Sequence, residues 1–158
     1  MTYDATPART CLYRQRVRYS EADQQGVVFN MWYLGYFDEA MTLFLEEGGL
    51  PYSAMLDEGF DVQLVHTEID WHSSLRWPDR VEVTVGAEGT GRTSFTVRFD
   101  VRNAAGDDVA TGRTVYVVVA TDGSGKRPIP PSLGRALGWP DGSARDPAAT
   151  AVAGETGA

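Results

Sequence analysis

The chain has 158 residues, and its 22 acidic and 14 basic side chains give a formal net charge of −8. This length suits one domain with a substantial core, and the 42% hydrophobic and 23% charged content is typical of a globular protein rather than a disordered or fibrous one. The acidic balance argues against general nucleic-acid binding, and a single cysteine excludes an intrachain disulfide. Because the start lacks a secretory pattern and no apolar run could span a membrane, we expect a cytoplasmic protein.

The first predicted elements are a strand over residues 11–19 and an irregular connection over residues 20–29. From Asn30 to about Gly48 the pattern is helical, because apolar residues recur three or four positions apart. Asn30 is suited to cap this helix, and Gly48 with Gly49 indicates its end. Apolar side chains also lie off the main stripe, at Trp32 and Tyr36 for example, which predicts a helix buried on most sides. A short second helix is predicted over residues 52–58.

The hydrophobic period changes to two after these helices. Residues 80–87 and 94–102 alternate between apolar and polar side chains, which predicts two strands with one buried face each. Residues 61–71 and 107–121 complete the set, and the apolar run at 115–119 is typical of a central strand. The sequence therefore predicts an α+β domain over residues 1–137, in which an antiparallel sheet of about five strands covers one long helix. Residues 138–158 lack periodicity and are predicted to be a disordered tail.

Charge is distributed unevenly along the chain. Residues 19–75 contain eleven acidic residues and no Lys or Arg, whereas residues 76–127 contain eight basic residues. An anionic ligand would therefore meet its electrostatic partners in the second half of the chain. The alternative is that these side chains, Arg92 among them, simply occupy the solvent-facing sides of strands.

Asp23 is an ionisable group in the connection that leads into the predicted long helix. The first N–H groups of a helix have no internal partner and favour negative charge, so a carbonyl placed there could be polarised while Asp23 attacks it or activates water. Gly26 would allow the backbone to approach a ligand closely. The alternative is an ordinary polar loop with a turn glycine. His66 and His72 lie about 20 Å apart along one predicted strand, so we expect no metal site.

Four segments resemble one known family. Residues 23–29, Asp-Gln-Gln-Gly-Val-Val-Phe, followed by Tyr33, Leu34 and Phe37, closely resemble the signature of the hotdog-fold acyl-CoA thioesterases of the 4-hydroxybenzoyl-CoA thioesterase group. Residues 65–70, 91–95 and 126–130 are similar to later segments of that family and occur in the expected order. The resemblance extends from about residue 11 to residue 135.

The resemblance implies the hotdog fold, a long central helix wrapped by a curved antiparallel sheet. It also implies dimers joined edge to edge, often paired into homotetramers, with active sites at the subunit interface. A carboxylate and an oriented backbone dipole could suffice to cleave a thioester there, so we expect no metal or cofactor. In the family motif the acidic residue is the catalytic carboxylate, which corresponds to Asp23, and the backbone N–H of Asn30 would polarise the thioester carbonyl. Tyr33 and Trp32 would line the acyl pocket or belong to the core. Arg92 and Ser94 are candidates to bind the CoA arm, or they simply lie on the solvent-facing side of a strand.

We therefore expect a hydrolase that cleaves an acyl-CoA into a free acid and CoA. One alternative is a thioesterase that acts on an acyl carrier protein, although an acidic enzyme suits an acidic carrier poorly. A second alternative is a non-catalytic acyl-CoA-binding protein, and the presence of Asp23 counts against it. A hotdog dehydratase is disfavoured because neither histidine lies in the connection before the helix.

Overall fold

A computed structural model describes residues 7–139 and residue 141 of the chain. Five strands and three helices form the described part, together with a single 3-10 turn at Tyr19–Glu21. The strands are β1 (Thr10–Arg16), β2 (Phe60–Trp71), β3 (Arg80–Thr90), β4 (Ser94–Asn103) and β5 (Asp108–Ala120). The helices are α1 (Trp32–Glu47), α2 (Tyr52–Asp57) and α3 (Pro131–Ala136).

The five strands form one curved antiparallel sheet in the order β1-β3-β4-β5-β2. Its register shifts at three places, one of them between Leu64 and His66 in β2, and such irregularities bend a strand and increase its twist. The alternation predicted for β3 and β4 is confirmed, because Val81, Val83 and Val85 of β3 are buried while the residues between them are not, and β4 alternates in the same way. Strands β1 and β2 lie at the two edges of the sheet.

The 16-residue helix α1 packs against β1 and β3. Phe37 on this helix stacks on Phe99 of β4 with ring centroids 4.3 Å apart. A Cβ atom on Gly112 of β5 would overlap the Phe37 ring, so the glycine allows the helix to approach the sheet this closely. The resulting core contains the apolar face of α1 and the alternate side chains of the strands.

The helix begins two residues later than the sequence pattern indicates. Its N-cap is Met31, and no side chain makes a capping hydrogen bond there, so the predicted capping role of Asn30 is wrong. Asn30 instead belongs to a turn, in which the N–H of Trp32 donates to the carbonyl of Phe29 at 2.9 Å. Strand β1 likewise ends at Arg16 rather than residue 19, because the chain turns at Tyr19–Glu21.

The hydrophobic core extends two residues beyond residue 137, the predicted end of the domain. Trp139 is 4% exposed and belongs to the hydrophobic core, and its N–H donates to the carbonyl of Gly134 at 3.0 Å. The folded part therefore continues at least to Trp139, and residues 140 and 142–158 of the predicted tail lie outside the described residues. None of the helices in the described part of the chain is long and apolar enough to cross a membrane.

Candidate active site

The Asp23 loop, residues 21–30, is closed by backbone hydrogen bonds. The N–H of Phe29 donates to the carbonyl of Glu21 at 2.9 Å, and the N–H of Asp23 donates to the carbonyl of Val27 at 2.8 Å. Between these residues the chain turns at Gly26, whose φ of 75° lies in the left-handed region that glycine adopts without strain. The closed loop fixes the position of Asp23 relative to the start of α1.

The carboxylate of Asp23 is held on one side and open on the other. Its Oδ1 accepts a hydrogen bond from the N–H of Gln25 at 2.8 Å, which is the local turn typical of aspartate. Its Oδ2 has no protein donor among the described residues. Asp23 is half-buried, so this second oxygen is available to a ligand or to water in the adjoining cavity.

The backbone N–H of Asn30 is also open. The N–H groups of Trp32 and Tyr33 donate to the carbonyls of Phe29 and Asn30, at 2.9 and 3.4 Å. Within the described residues, the N–H of Asn30 itself has no acceptor. Because Asn30 is exposed at the N-terminal end of α1, its N–H can donate to an oxygen that carries developing negative charge.

Asp23 and Asn30 line the same cavity of about 450 Å³. One wall is aromatic, since Tyr33 of α1 and Trp71 of β2 meet edge to face with ring centroids 6.1 Å apart. Burial raises the pKa of Tyr33, so its hydroxyl stays protonated at neutral pH. The remaining lining residues are Gln25, Val27, Val28, Phe29, Ser73 and Ser74.

The connection between β2 and β3 supports the Asp23 loop from the other side. The N–H of Val28 donates to the carbonyl of buried Leu75 at 2.8 Å. The guanidinium of Arg76 donates to the carbonyl of Gly26 at 3.3 Å. The loop is thus attached to both the sheet connection and the helix, and both attachments limit how far Asp23 can move.

The structure brings together some of the predicted site residues and separates others. Asp23, Asn30 and Tyr33 line one cavity, and Gly26 lies in the same loop without lining it. Trp32 is 38% exposed and lies outside the lining. Arg92 and Ser94 belong to the β3–β4 hairpin, where the carbonyl of Arg92 accepts from the N–H of Ile129 at 3.0 Å, and neither lines the cavity.

Trp71, Ser73 and Ser74 line the cavity but were not identified from the sequence. They form the end of β2 and the residues just after it. The available signal was an aromatic residue at the end of a predicted strand followed by small polar residues, which is too common to indicate a site. Their proximity to Asp23 arises from the long-range contact of this segment with the Asp23 loop.

A second cavity, of about 470 Å³, lies between α1, α2 and β2. It is lined mainly by apolar side chains, among them Met41, Leu45 and Met55, and it contains the carboxylate of Asp38. Burial and the neighbouring Glu39 raise the pKa of Asp38. Neither Asp23 nor Asn30 lines this cavity, so it lacks the pairing of a carboxylate with an open helix N-terminus.

The described residues include no group of three His, Cys, Asp or Glu side chains that could bind a metal ion.

Comparisons with known proteins identify the relatives of this chain. Residues 17–137 match the family described as the Thioesterase-like superfamily. A hypothetical protein from Aquifex aeolicus of known crystal structure is 32% identical, with 80% of this chain and 98% of that chain covered and a TM-score of 0.76. The structure of a gentisyl-coenzyme A thioesterase is 26% identical, with 80% and 99% covered and a TM-score of 0.73. A 1,4-dihydroxy-2-naphthoyl-CoA hydrolase from Synechococcus elongatus is 25% identical over 123 residues, which are 77% of this chain and 90% of that protein.

Proposed function

The chain belongs to the Thioesterase-like superfamily, and from this premise we propose that it hydrolyses an acyl-CoA thioester to a free acid and CoA. The observation that carries the proposal is that the carboxylate of Asp23 and the open N–H of Asn30 line one cavity. Hydrolysis of a thioester needs a group that attacks or activates water and a donor that stabilises the oxyanion. These two groups supply both functions without a cofactor.

In the proposed reaction, the thioester carbonyl oxygen accepts a hydrogen bond from the N–H of Asn30. The carboxylate of Asp23 then acts in one of two ways. As a nucleophile it forms an acyl anhydride, the C–S bond breaks as the CoA thiolate leaves, and water hydrolyses the anhydride. As a general base it takes a proton from water, the hydroxide adds to the carbonyl carbon, and the tetrahedral intermediate expels the thiolate.

We further propose that the acyl group is aromatic. Tyr33 and Trp71 form an aromatic wall beside Asp23, and offset or edge-on packing against a substrate ring is favourable by about 1 kcal/mol. Two similar proteins are named for aromatic acyl-CoA substrates, the gentisyl-coenzyme A thioesterase and the 1,4-dihydroxy-2-naphthoyl-CoA hydrolase. The polar groups of Ser73, Ser74 and Gln25 in the lining are suited to hydrogen-bond ring hydroxyls or the pantetheine arm.

We also propose that two copies of the chain pair along β2, because this arrangement would bring Arg92 and Ser94 of one copy towards the substrate of the other. The two ends of β2 are about 35 Å apart by the strand rise, with Trp71 near Asp23 at one end and Phe60 nearer the β3–β4 hairpin at the other. If β2 pairs with β2 of a second copy about a two-fold axis, the strands are antiparallel, and the Phe60 end of one copy lies beside the Trp71 end of the other. Arg92 of the second copy then approaches the CoA phosphates. A tetramer of two such dimers and a cytoplasmic location remain predictions from the sequence.

Two other functions agree less well with the charge of the chain and with the residues of the candidate site. A thioesterase for an acyl carrier protein would bring an acidic carrier to a chain of net charge −8. A non-catalytic acyl-CoA-binding protein has no need for a half-buried carboxylate beside an open helix N-terminus. Both remain outcomes of the experiment below.

The experiment measures thiol release from a panel of aromatic, short-chain and long-chain acyl-CoAs, with wild type and Asp23→Asn. We expect the highest kcat/KM for an aromatic acyl-CoA, and a kcat at least about 10²-fold lower in the variant because the amide is a much weaker nucleophile or base. Asp122→Asn is a matched control, since Asp122 forms the same turn with the N–H of Ser124 at 2.8 Å in an exposed loop. Wild-type turnover by Asp23→Asn, or no hydrolysis of any acyl-CoA by wild type, would contradict the proposal.

A further inference from the structure

Glu21, at the base of the Asp23 loop, has a buried carboxylate. The residue is only 2% exposed. Its Oε2 accepts hydrogen bonds from the hydroxyl of Tyr36 at 2.7 Å and from the N–H of Arg18 at 2.9 Å. A carboxylate is costly to bury unless such donors satisfy it, so the two hydrogen bonds fix where this side chain can lie.

Tyr36 connects this carboxylate to the first turns of α1. It is also 2% exposed, and its ring contacts that of Tyr33, which lines the cavity, with centroids 5.8 Å apart. Burial and the nearby Glu21 raise the pKa of Tyr36, so its hydroxyl is a protonated donor at neutral pH. Gln15 also faces this hydroxyl, so the pair lies within a small polar group in the core.

The main chain of Glu21 is attached to the same region. Its carbonyl accepts the N–H of Phe29, and Asn30 follows directly along the chain. Asp23 lies only two residues after Glu21 along the chain. The side chain of Glu21 therefore connects the loop to the interior of α1, while its carbonyl connects the loop to the start of that helix.

We propose that Glu21 and Tyr36 are positioning residues, whose hydrogen bond fixes the carboxylate of Asp23 relative to the N–H of Asn30. This inference rests on the proposed function, because it concerns the two groups assigned to thioester cleavage. Catalytic groups act only within a narrow range of distances, and a displacement of about 1 Å can lower the rate about 10²-fold. Glu21 does not line the cavity, so it acts through the loop rather than on the substrate.

The test compares Tyr36→Phe, Glu21→Ala and Glu21→Gln on the acyl-CoA that wild type hydrolyses best. Tyr36→Phe removes only the hydroxyl, and Glu21→Ala removes its acceptor, so we expect kcat about 10- to 100-fold lower in both with KM little changed. Glu21→Gln retains an oxygen that accepts from Tyr36 and from Arg18, so it should keep most of the wild-type kcat. The double variant of Glu21→Ala with Tyr36→Phe should be no slower than Glu21→Ala alone.

Thr114→Val is the matched control for lost stability. Thr114 is 0% exposed, and its hydroxyl pairs with that of Thr67 at 2.8 Å, within the sheet and outside the Asp23 loop. This variant should lose thermal stability as Tyr36→Phe does, yet keep kcat. Tyr36→Phe and Glu21→Ala with wild-type kcat and only a lower Tm would overturn the positioning role, provided that Asp23→Asn is inactive. Activity in Asp23→Asn would instead overturn the proposed function.

Amide hydrogen exchange provides a readout independent of turnover. In Tyr36→Phe the amides of Asp23 and Phe29, which close the loop, should exchange faster than in wild type, whereas the amides of β5 should not. In Thr114→Val the amides of the loop should keep their wild-type rates. Unchanged exchange of the loop in Tyr36→Phe would also contradict the proposal.

Discussion

At the scale of single residues, the proposed hydrogen-bond donor to the thioester carbonyl is a backbone N–H rather than a side chain. The side chain of Asn30 does not cap the helix, and its N–H is left without an acceptor among the described residues. Any residue that keeps this N–H and the turn before α1 should therefore support the reaction. Proline is the exception, because it has no backbone N–H.

This distinction gives a prediction for position 30. Asn30→Ala should keep kcat within a few-fold of wild type, because the N–H remains. Asn30→Pro should lower kcat about 10²-fold or more, as expected for the loss of one oxyanion donor, while no internal hydrogen bond of the N–H is lost. Steady-state kinetics test this, with circular dichroism to establish that both variants fold. A slow Asn30→Ala together with a fast Asn30→Pro would show that the side chain, not the N–H, takes part.

At the scale of elements, one close contact between α1 and the sheet has a clear cause in the sequence. Phe37 lies flat against Phe99, with an interplanar angle of 7°, above the space that a Cβ atom on Gly112 would fill. Tyr33 and Tyr36 are buried on α1 together with Phe37. Glycine in a strand usually weakens it, so its presence here is explained by the close approach of the helix.

We predict that Gly112→Ala lowers the free energy of unfolding by about 1–3 kcal/mol, since the new methyl group overlaps a buried ring. Phe37→Leu should relieve part of that overlap. The double variant should therefore lose less free energy of unfolding than the sum of the losses in the two single variants. Denaturant unfolding measures these differences. Gly35→Ala is the control, because the nearest atom to its added Cβ would be 3.9 Å away, on Trp32. Equal effects of Gly112→Ala and Gly35→Ala would contradict the role assigned to this contact.

At the scale of the whole molecule, the two edges of the sheet differ. Strand β1 has seven residues, and its exposed side chains include Arg14, whose partner is Glu82 of β3. Strand β2 has 12 residues and carries Leu64 and Val65, which are 46% and 56% exposed. Strand β2 also exposes Glu68 and Asp70, but a long edge with adjacent exposed apolar side chains tends to pair, whereas a short charged edge resists pairing. We therefore expect β2 to join two copies of the chain.

Mixed oligomers test this assembly and the role of Arg92 together. Light scattering should give a multiple of the 17.3 kDa chain mass. Asp23→Asn should lower kcat, and Arg92→Ala should raise KM for acyl-CoA but not for a pantetheine thioester. A mixed dimer of the two variants has one site with both Asp23 and Arg92, so refolding them together should give a kcat/KM above the mean of the separate variants. A mass of 17.3 kDa, or a mixture with only the mean activity, would contradict the arrangement.

Features with a short-range cause were predictable from the sequence. The alternation in β3 and β4 follows from the two faces of a strand, and both strands were predicted within a few residues. The apolar spacing of α1 likewise predicted its buried face, including Tyr33, Phe37 and Phe44. Asp23 and Asn30 were identified by resemblance to a family motif. Pattern alone left an ordinary polar loop as an alternative.

The sequence by itself determined the five strands, the helices α1 and α2 and the short segment that carries Asp23, whereas the short helix α3 was not predicted. The tertiary structure decided which distant residues complete the cavity, because Trp71 and Ser73 reach Asp23 only when β2 and the Asp23 loop pack together. It also decided that Trp139 belongs to the core and that Arg92 lies away from Asp23 within one chain. The physical reason is range: propensity and periodicity report on neighbours along the chain, whereas a cavity is formed by contacts between residues tens of positions apart.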